Sequence, residues 1–309
     1  MSRVAILGAG AWGRALAATA VRAQHQVSVW ARNLEKWTPL KGNEGPLEVT
    51  LSSDLGEVLE AADGIIFALP AQTVRSFLTQ NPLPLRPLLF GCKGIEGQTG
   101  LFLSEVLEDL GLPHAIGFLG GPHLATEVVE GLPTAGTIGA FSLEVAQFMA
   151  SLLHHSGFHI TSCGDPLGVQ VVGALKNVFA VLGGLILGAG LGENARSALL
   201  TEGFGEINRL GQWVGASEKT LWSQAGLGDF MLTCLSLHSR NTQFGLRLAR
   251  GENPSPYDPL AEGFFTTHAL QKRAHESHLS LPLVARLSDI LNAPEQALTL
   301  IPSLMECLA

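Results

Sequence analysis

The chain opens on a strand-to-helix transition marked by three glycines. The apolar run Val4-Ala5-Ile6-Leu7 leads into Gly8-Ala9-Gly10-Ala11-Trp12-Gly13, and Arg14-Ala15-Leu16-Ala17-Ala18 follows at once. In that setting the first glycine permits a tight turn, the second lets a pyrophosphate approach the backbone, and the third lets helix pack on strand. The helix start turns its N–H groups and the positive end of its dipole toward a phosphate. A glycine triplet in a chain with 36 glycines would say little by itself. Placed after a first strand and before a first helix, Gly8, Gly10, Ala11, Trp12 and Gly13 read as a dinucleotide cradle.

The end of the second strand selects the nucleotide. Gln26-Val27-Ser28-Val29-Trp30 reads as that strand, and Arg32 stands where a carboxylate would otherwise grip the ribose hydroxyls of NAD. A guanidinium suits a 2′-phosphate by charge and by its forked donors, so NADP(H) is favoured. Glu35 and Glu48 lie close enough in sequence to keep NAD(H) use open.

Beyond the cradle, short apolar runs alternate with helical patterns: Gly64 to Leu69, Leu88 to Phe90, Ala115 to Leu119, Thr137-Ile138 and His159-Ile160-Thr161. Such alternation predicts a parallel, doubly wound α/β sheet of the Rossmann type. After Gly164-Asp165-Pro166 the strand signals fade. Long helical stretches at 169–187, 195–214 and 242–249 take over, so residues 1–163 form a dinucleotide-binding domain and 164–309 an all-α substrate-binding and catalytic domain. With 309 residues the chain is long enough for two cores. In an open sheet, ligands bind beyond the carboxyl ends of the strands. Leu69-Pro70-Ala71-Gln72, Gly91-Cys92-Lys93-Gly94 and Gly120-Gly121-Pro122-His123 are therefore expected near the nicotinamide, which gives Lys93 a functional location.

Charge and composition exclude several partners. A net charge of −8 argues against nucleic acid, which needs a basic face. The four cysteines share no CxxC spacing, so a disulfide framework and a metal site are not expected. The start of the chain enters a strand directly, without the charged and apolar regions of a secretory signal, which predicts a cytoplasmic protein. Val169 to Leu191 is apolar, yet Lys176 and Asn177 sit inside it, which favours a buried helix over a membrane span. A hydrophobic helical domain could also support a homodimer, with no interface assignable in the sequence.

Chemistry concentrates in the second half. In Ala174-Leu175-Lys176-Asn177-Val178-Phe179-Ala180 a charge and an amide interrupt an otherwise apolar helix. Burying an ammonium is costly unless it is paired, and a desolvated lysine is a useful acid or base near neutral pH. Asp229 stands on the glycine turn Gly226-Leu227-Gly228 before an apolar helix, as an N-cap or as a charge partner. Ser239-Arg240-Asn241 places a hydroxyl, a guanidinium and an amide at a helix start, a grouping that can grip a phosphate.

Together these residues resemble the NAD(P)-dependent sn-glycerol-3-phosphate dehydrogenases of the bacterial type. The resemblance runs from Val4 to about Leu270 and rests on Gly8 to Gly13, Lys93-Gly94, Gly121-Pro122 with Ala125 and Glu127, Ala174 to Val178, Gly228-Asp229 with Leu232-Thr233-Cys234, Ser239 to Asn241, and Glu262-Gly263. It implies a helical C-terminal domain of the 6-phosphogluconate-dehydrogenase-like kind. It also implies reduction of dihydroxyacetone phosphate for phospholipid synthesis, with Lys176 as acid/base at the C2 oxygen, Asp229 holding its ammonium, and Lys93 facing the substrate. Arg240 and Asn241 would bind the phosphate; Gly121, His123 and Ser239 would also serve the substrate; Trp12, Arg32, Lys93, Ala125, Arg240 and Glu262 would serve the cofactor. Three departures stand out. His123 replaces a small hydroxyl residue, the segment Asn43 to Val49 lacks a longer loop, and Glu202 stands where many relatives have arginine. Two other readings remain open: a β-hydroxyacid-type dehydrogenase acting on a carboxylate, and a non-catalytic NADP-binding protein.

Overall fold

A computed structural model describes all residues except Lys36, Asn43, Glu44, Asp258, Pro259 and Ala309. The chain separates into two units, Met1–Lys93 with Leu103–Val169 and Gly94–Phe102 with Gln170–Ala309. This division differs from a single cut after residue 163 because Ile95 and Phe102, both fully buried, belong to the core of the helical unit. Gly100, at φ +73, turns the chain between them, and its carbonyl accepts from Arg273 Nη1 at 2.8 Å.

The first unit is a sheet flanked by helices. Its strands are β1 (Arg3–Leu7), β2 (Gln26–Trp30), β5 (Thr50–Ser52), β6 (Gly64–Phe67), β7 (Leu88–Phe90), β8 (Ile116–Gly120), β9 (Thr134–Ala140) and β10 (Phe158–Cys163), in spatial order β10-β9-β8-β7-β6-β1-β2-β5. A separate two-stranded hairpin pairs β3 (Leu40–Gly42) with β4 (Gly45–Leu47). The helices are α1 (Ala11–Arg22), α2 (Leu55–Leu59), α3 (Val74–Gln80), α4 (Leu103–Asp109), α5 (Ala125–Glu130) and α6 (Leu143–Ser151). Central strands read as unbroken apolar runs, as in β6 Gly64-Ile65-Ile66-Phe67, because both faces are covered. Neighbouring strands run parallel except β8 and β9, which pair antiparallel with Phe118 opposite Gly139. The reversal comes after α5, the six-residue helix that separates the two strands.

The edge strand β5 and the β3–β4 hairpin escape a reading by period. Each strand is three residues long, and Gly42, Gly45 and Pro46 interrupt the alternation. Of the shortened segment noted above, Asn43 lies outside the described residues, while Gly45–Leu47 forms β4.

The second unit is built on α7 (Pro166–Gly188), with α8 (Gly192–Trp213), α9 (Glu218–Leu221), α10 (Asp229–Leu235), α11 (Arg240–Leu248), α12 (Glu262–Glu276), α13 (Pro282–Asn292) and α14 (Ala297–Leu300). By length and composition α7 could cross a membrane, but 89% of its most apolar window is buried inside the protein, as expected of a core helix. Glycines set how closely its neighbours approach. A Cβ on Gly184 would lie 2.1 Å from the Thr242 carbonyl oxygen, and one on Gly245 would lie 2.0 Å from that of Val181, so α7 and α11 meet backbone to backbone.

A second polar feature ties α8 to α13. The fully buried Glu206 carboxylate accepts from the N–H groups of Leu283 at 2.5 Å and Val284 at 3.2 Å, capping the α13 N-terminus from another helix. Burial pushes its pKa up to about 7, against the opposing pull of the two N–H groups and Arg209. The same network accounts for Glu202: it pairs with Arg209 at 2.9 Å, and Arg209 lies 3.7 Å from Glu206. An arginine at 202 would set two cations side by side there.

Candidate active site

In the sheet unit the three glycines of the cradle do three separable jobs. Gly8 has φ +117, a conformation that disfavours any side chain, and its N–H donates to Trp30 O at 3.0 Å. A Cβ on Gly13 would lie 1.9 Å from Gly8 O, so only glycine lets α1 pack against the turn. Gly10 is different: a Cβ there would meet nothing within 4 Å. As the N-cap of α1 it contributes no side-chain cap, and the space beside it at the helix start is of the kind a pyrophosphate needs. The residues present therefore fit a dinucleotide.

Around this cradle the strand ends are stitched together. Trp12 donates its indole N–H to Gly91 O at 2.8 Å, and a Cβ on Gly91 would come within 2.9 Å of that nitrogen. Two residues on, Lys93 Nζ donates to Gly121 O at 3.1 Å, linking the loops after β7 and β8. Gly121, at φ +143, leads through Pro122 to His123, whose ring stacks on Trp12 with centroids 5.4 Å apart. Arg32 is exposed just beyond β2, and Ala125 is half-buried at the start of α5. Of the sheet-unit residues singled out from sequence, Trp12 and His123 stack together, and Lys93 bonds to Gly121 two residues before His123.

In the helical unit Lys176, only 6% exposed, forms an ion pair with the fully buried Asp229 carboxylate. Asp229 is placed by an unusual local structure, a π-helical turn over Gln224–Gly228 that runs directly into α10. A Cβ on Gly226 would collide with the Leu221 carbonyl oxygen at 1.9 Å, so this turn requires glycine. Beneath the pair, the Cys234 thiol donates to Lys176 O at 3.4 Å, and burial pushes its pKa far up, which keeps it uncharged.

Asn177, beside Lys176, is a hub that sequence reasoning left without a role. Its Oδ1 accepts from Asn241 Nδ2 at 3.0 Å, and its Nδ2 donates to Glu262 Oε2 at 3.4 Å. Asn241 Oδ1 in turn accepts from Gly263 N at 2.9 Å. A Cβ on Gly263 would lie 2.3 Å from Asn177 O, so α12 and α7 also touch through glycine. Ser239 caps α11, its Oγ accepting from Thr242 N at 3.4 Å, and Arg240 at the first helical position is exposed. A buried, paired ammonium beside a fixed amide network, with an exposed guanidinium at a neighbouring helix start, can move a proton at one point and hold an anion at another.

A glycine cradle on a Rossmann-type sheet, followed by a helical unit carrying a buried Lys–Asp pair, defines a two-unit nicotinamide-dependent dehydrogenase class. Residues 3–146 match the model of the NAD-dependent glycerol-3-phosphate dehydrogenase N-terminus, and residues 165–301 match that of its C-terminus. A protein of Brucella ovis called glycerol-3-phosphate dehydrogenase [NAD(P)+] is 37% identical, over 94% of this chain and 93% of its own. A crystal structure of glycerol-3-phosphate dehydrogenase from Coxiella burnetii is 31% identical, covering 96% of this chain and 98% of its own, with a TM-score of 0.86. The structure of a probable 2-dehydropantoate 2-reductase from Bacillus subtilis, 17% identical over 95% of this chain and 100% of its own, has a TM-score of 0.58 and shares the fold alone. The chain belongs to the NAD-dependent glycerol-3-phosphate dehydrogenase family.

Proposed function

We propose that this protein reduces dihydroxyacetone phosphate to sn-glycerol 3-phosphate, reversibly, with NADP(H) favoured and NAD(H) as second cofactor. The observation that carries the reading is the buried Lys176–Asp229 pair, in a chain whose relatives bear that dehydrogenase name over nearly their whole length. When bound, the nicotinamide supplies the hydride for reduction of the ketone carbon. Lys176 delivers the balancing proton to the C2 oxygen and takes it back in the reverse direction. Asp229 fixes the ammonium so that it reaches the oxygen already oriented.

The remaining roles in this reading follow the chemistry of each group. Gly8, Gly10, Ala11, Trp12 and Gly13 hold the pyrophosphate side of the cofactor, with Ala125, Glu262 and Arg240 contributing. Arg32, exposed after β2, meets the 2′-phosphate. Arg240, Asn241 and Ser239 hold the substrate phosphate, and Lys93 and Gly121 serve the substrate from the sheet unit. The product feeds glycerophospholipid synthesis in the cytoplasm, and the protein acts as a homodimer, which sedimentation would check.

The test is oxidation of NADPH and NADH by the purified protein, followed by loss of reduced-nicotinamide absorbance. Turnover with dihydroxyacetone phosphate that disappears with unphosphorylated dihydroxyacetone supports the reading and ranks the cofactors. Turnover of a ketoacid in place of the phosphate ester would move the protein to the carboxylate-specific dehydrogenases. NADPH binding with no turnover of either would make it a binding protein.

A further inference from the structure

His123 occupies a site built for its ring. The imidazole lies nearly parallel to the Trp12 indole, at 17° with centroids 5.4 Å apart, and meets Phe158 edge-on at 5.0 Å. Its Nε2 lies 3.0 Å from Ala135 O. A carbonyl only accepts, so Nε2 carries the proton and donates. The space for the ring exists because two residues lack side chains: a Cβ on Gly121 or on Gly136 would come within 2.8 Å of His123 Nε2. These contacts fix the ring position and aim its donor at β9.

What the ring touches matters more than what it replaces. Trp12 sits in the glycine cradle, and its own N–H is spent on Gly91 O at the end of β7. The indole also packs against the apolar core of the sheet unit. The stacked imidazole adds a contact to the ring face, so Trp12 is tied to the end of β7 and, through His123, to the start of β9.

We propose that His123 is a positioning residue for the cofactor: it locks Trp12 as a rigid wall of the dinucleotide cradle and so sets affinity for the reduced nicotinamide nucleotide, without itself gripping the substrate phosphate. A small hydroxyl residue at this position could reach toward a phosphate but could not stack on the indole. This inference rests on the dehydrogenase reading above for the nucleotide that Trp12 meets and for the substrate that His123 does not hold.

The experiment is a double-mutant cycle in nucleotide binding, measured by calorimetry on the full-length protein with NADPH and with NADH, beside steady-state kinetics. His123→Ser is expected to raise the NADPH Kd and KM about two- to tenfold, the range of a lost aromatic pair, while leaving the KM for dihydroxyacetone phosphate unchanged. His123→Phe, which keeps the stack and loses the donor to Ala135, should recover most of the affinity. Adding His123→Ser to Trp12→Ala should weaken binding no further than Trp12→Ala alone. A rise in the KM for dihydroxyacetone phosphate with an unmoved NADPH Kd would overturn the proposal, as would additive losses in the cycle. Because the calorimetric arm does not depend on which ketone is reduced, it still decides the role of His123 if dihydroxyacetone phosphate is not turned over.

Discussion

The glycine cradle in the sheet unit and the Lys176–Asp229 pair in the helical unit are assembled by opposite means. The cradle is made of backbone: a Cβ would be strained at Gly8 and would clash at Gly13, and at Gly10 it would enter open space. The pair is made of two side chains 53 residues apart, and it survives in an apolar interior because each charge has the other. A site made of backbone tolerates change only where space is open. A site made of buried charge tolerates change only when both members change together.

This contrast predicts its largest effect at Asp229. Asp229→Asn leaves the Lys176 ammonium buried without its counter-charge, and should destabilise the protein by about 3–5 kcal/mol in denaturant unfolding. Replacing both residues, as Lys176→Met with Asp229→Leu, should recover much of that stability and no turnover. A double variant as unstable as Asp229→Asn would mean that packing, not charge pairing, holds α10 against α7.

The cradle predicts a split between two neighbouring glycines. Gly13→Ala drives a Cβ to 1.9 Å from Gly8 O and should lower stability by about 2–3 kcal/mol, as overpacking does. Gly10→Ala meets nothing in the protein, so it should melt like the native chain while weakening NADPH by at least about tenfold. Equal stability losses for the two would erase the distinction between a packing glycine and a ligand-facing one.

Glu206 sharpens the comparison, since it is a buried charge whose partners are mostly backbone. Its pKa stands at about 7 in the folded protein, above the ordinary 4.5, so the folded state holds the proton more tightly than the unfolded chain. The stability it contributes is fully present below about pH 4.5 and is lost as pH rises through about 7. The native melting temperature should therefore fall by several degrees across that window relative to Glu206→Gln, whose amide oxygen can still cap α13. Parallel melting curves against pH would remove Glu206 as the titrating group. The smallest effect belongs to the exposed Arg32, where Arg32→Ala should weaken NADPH a few-fold and NADH hardly at all, read by calorimetry.

The same contrast explains how much could be read from the chain alone. The cradle was legible because its determinants are consecutive, and β1, β6 and β7 announce themselves as apolar runs closed by glycine or proline. Lys176 and Asp229 were legible as candidates, because a charge in an apolar helix needs a reason, and a family resemblance joined them. Asn177 was not, since its partners Asn241 and Glu262 lie 64 and 85 residues away and nothing local marks an amide as a hub. The Gly226 and Gly245 contacts were equally hidden: one glycine among many shows its purpose only when the opposing carbonyl is known. The antiparallel β9 escaped because a strand's apolar pattern reads the same whichever way the strand runs. Glu206 read as one more carboxylate on a helix, and the N-terminus it caps belongs to residues 77 and 78 positions further on.

The account rests most heavily on Lys176 as the group that carries the proton. The direct measurement compares native protein and Lys176→Ala in dihydroxyacetone-phosphate-dependent oxidation of NADPH, with NADPH affinity determined on the same samples. Turnover lower by at least about a hundredfold with affinity unchanged is the predicted result, the scale of a lost general acid. Near-native turnover in Lys176→Ala would contradict the account and leave the buried pair as a structural strut between α7 and α10.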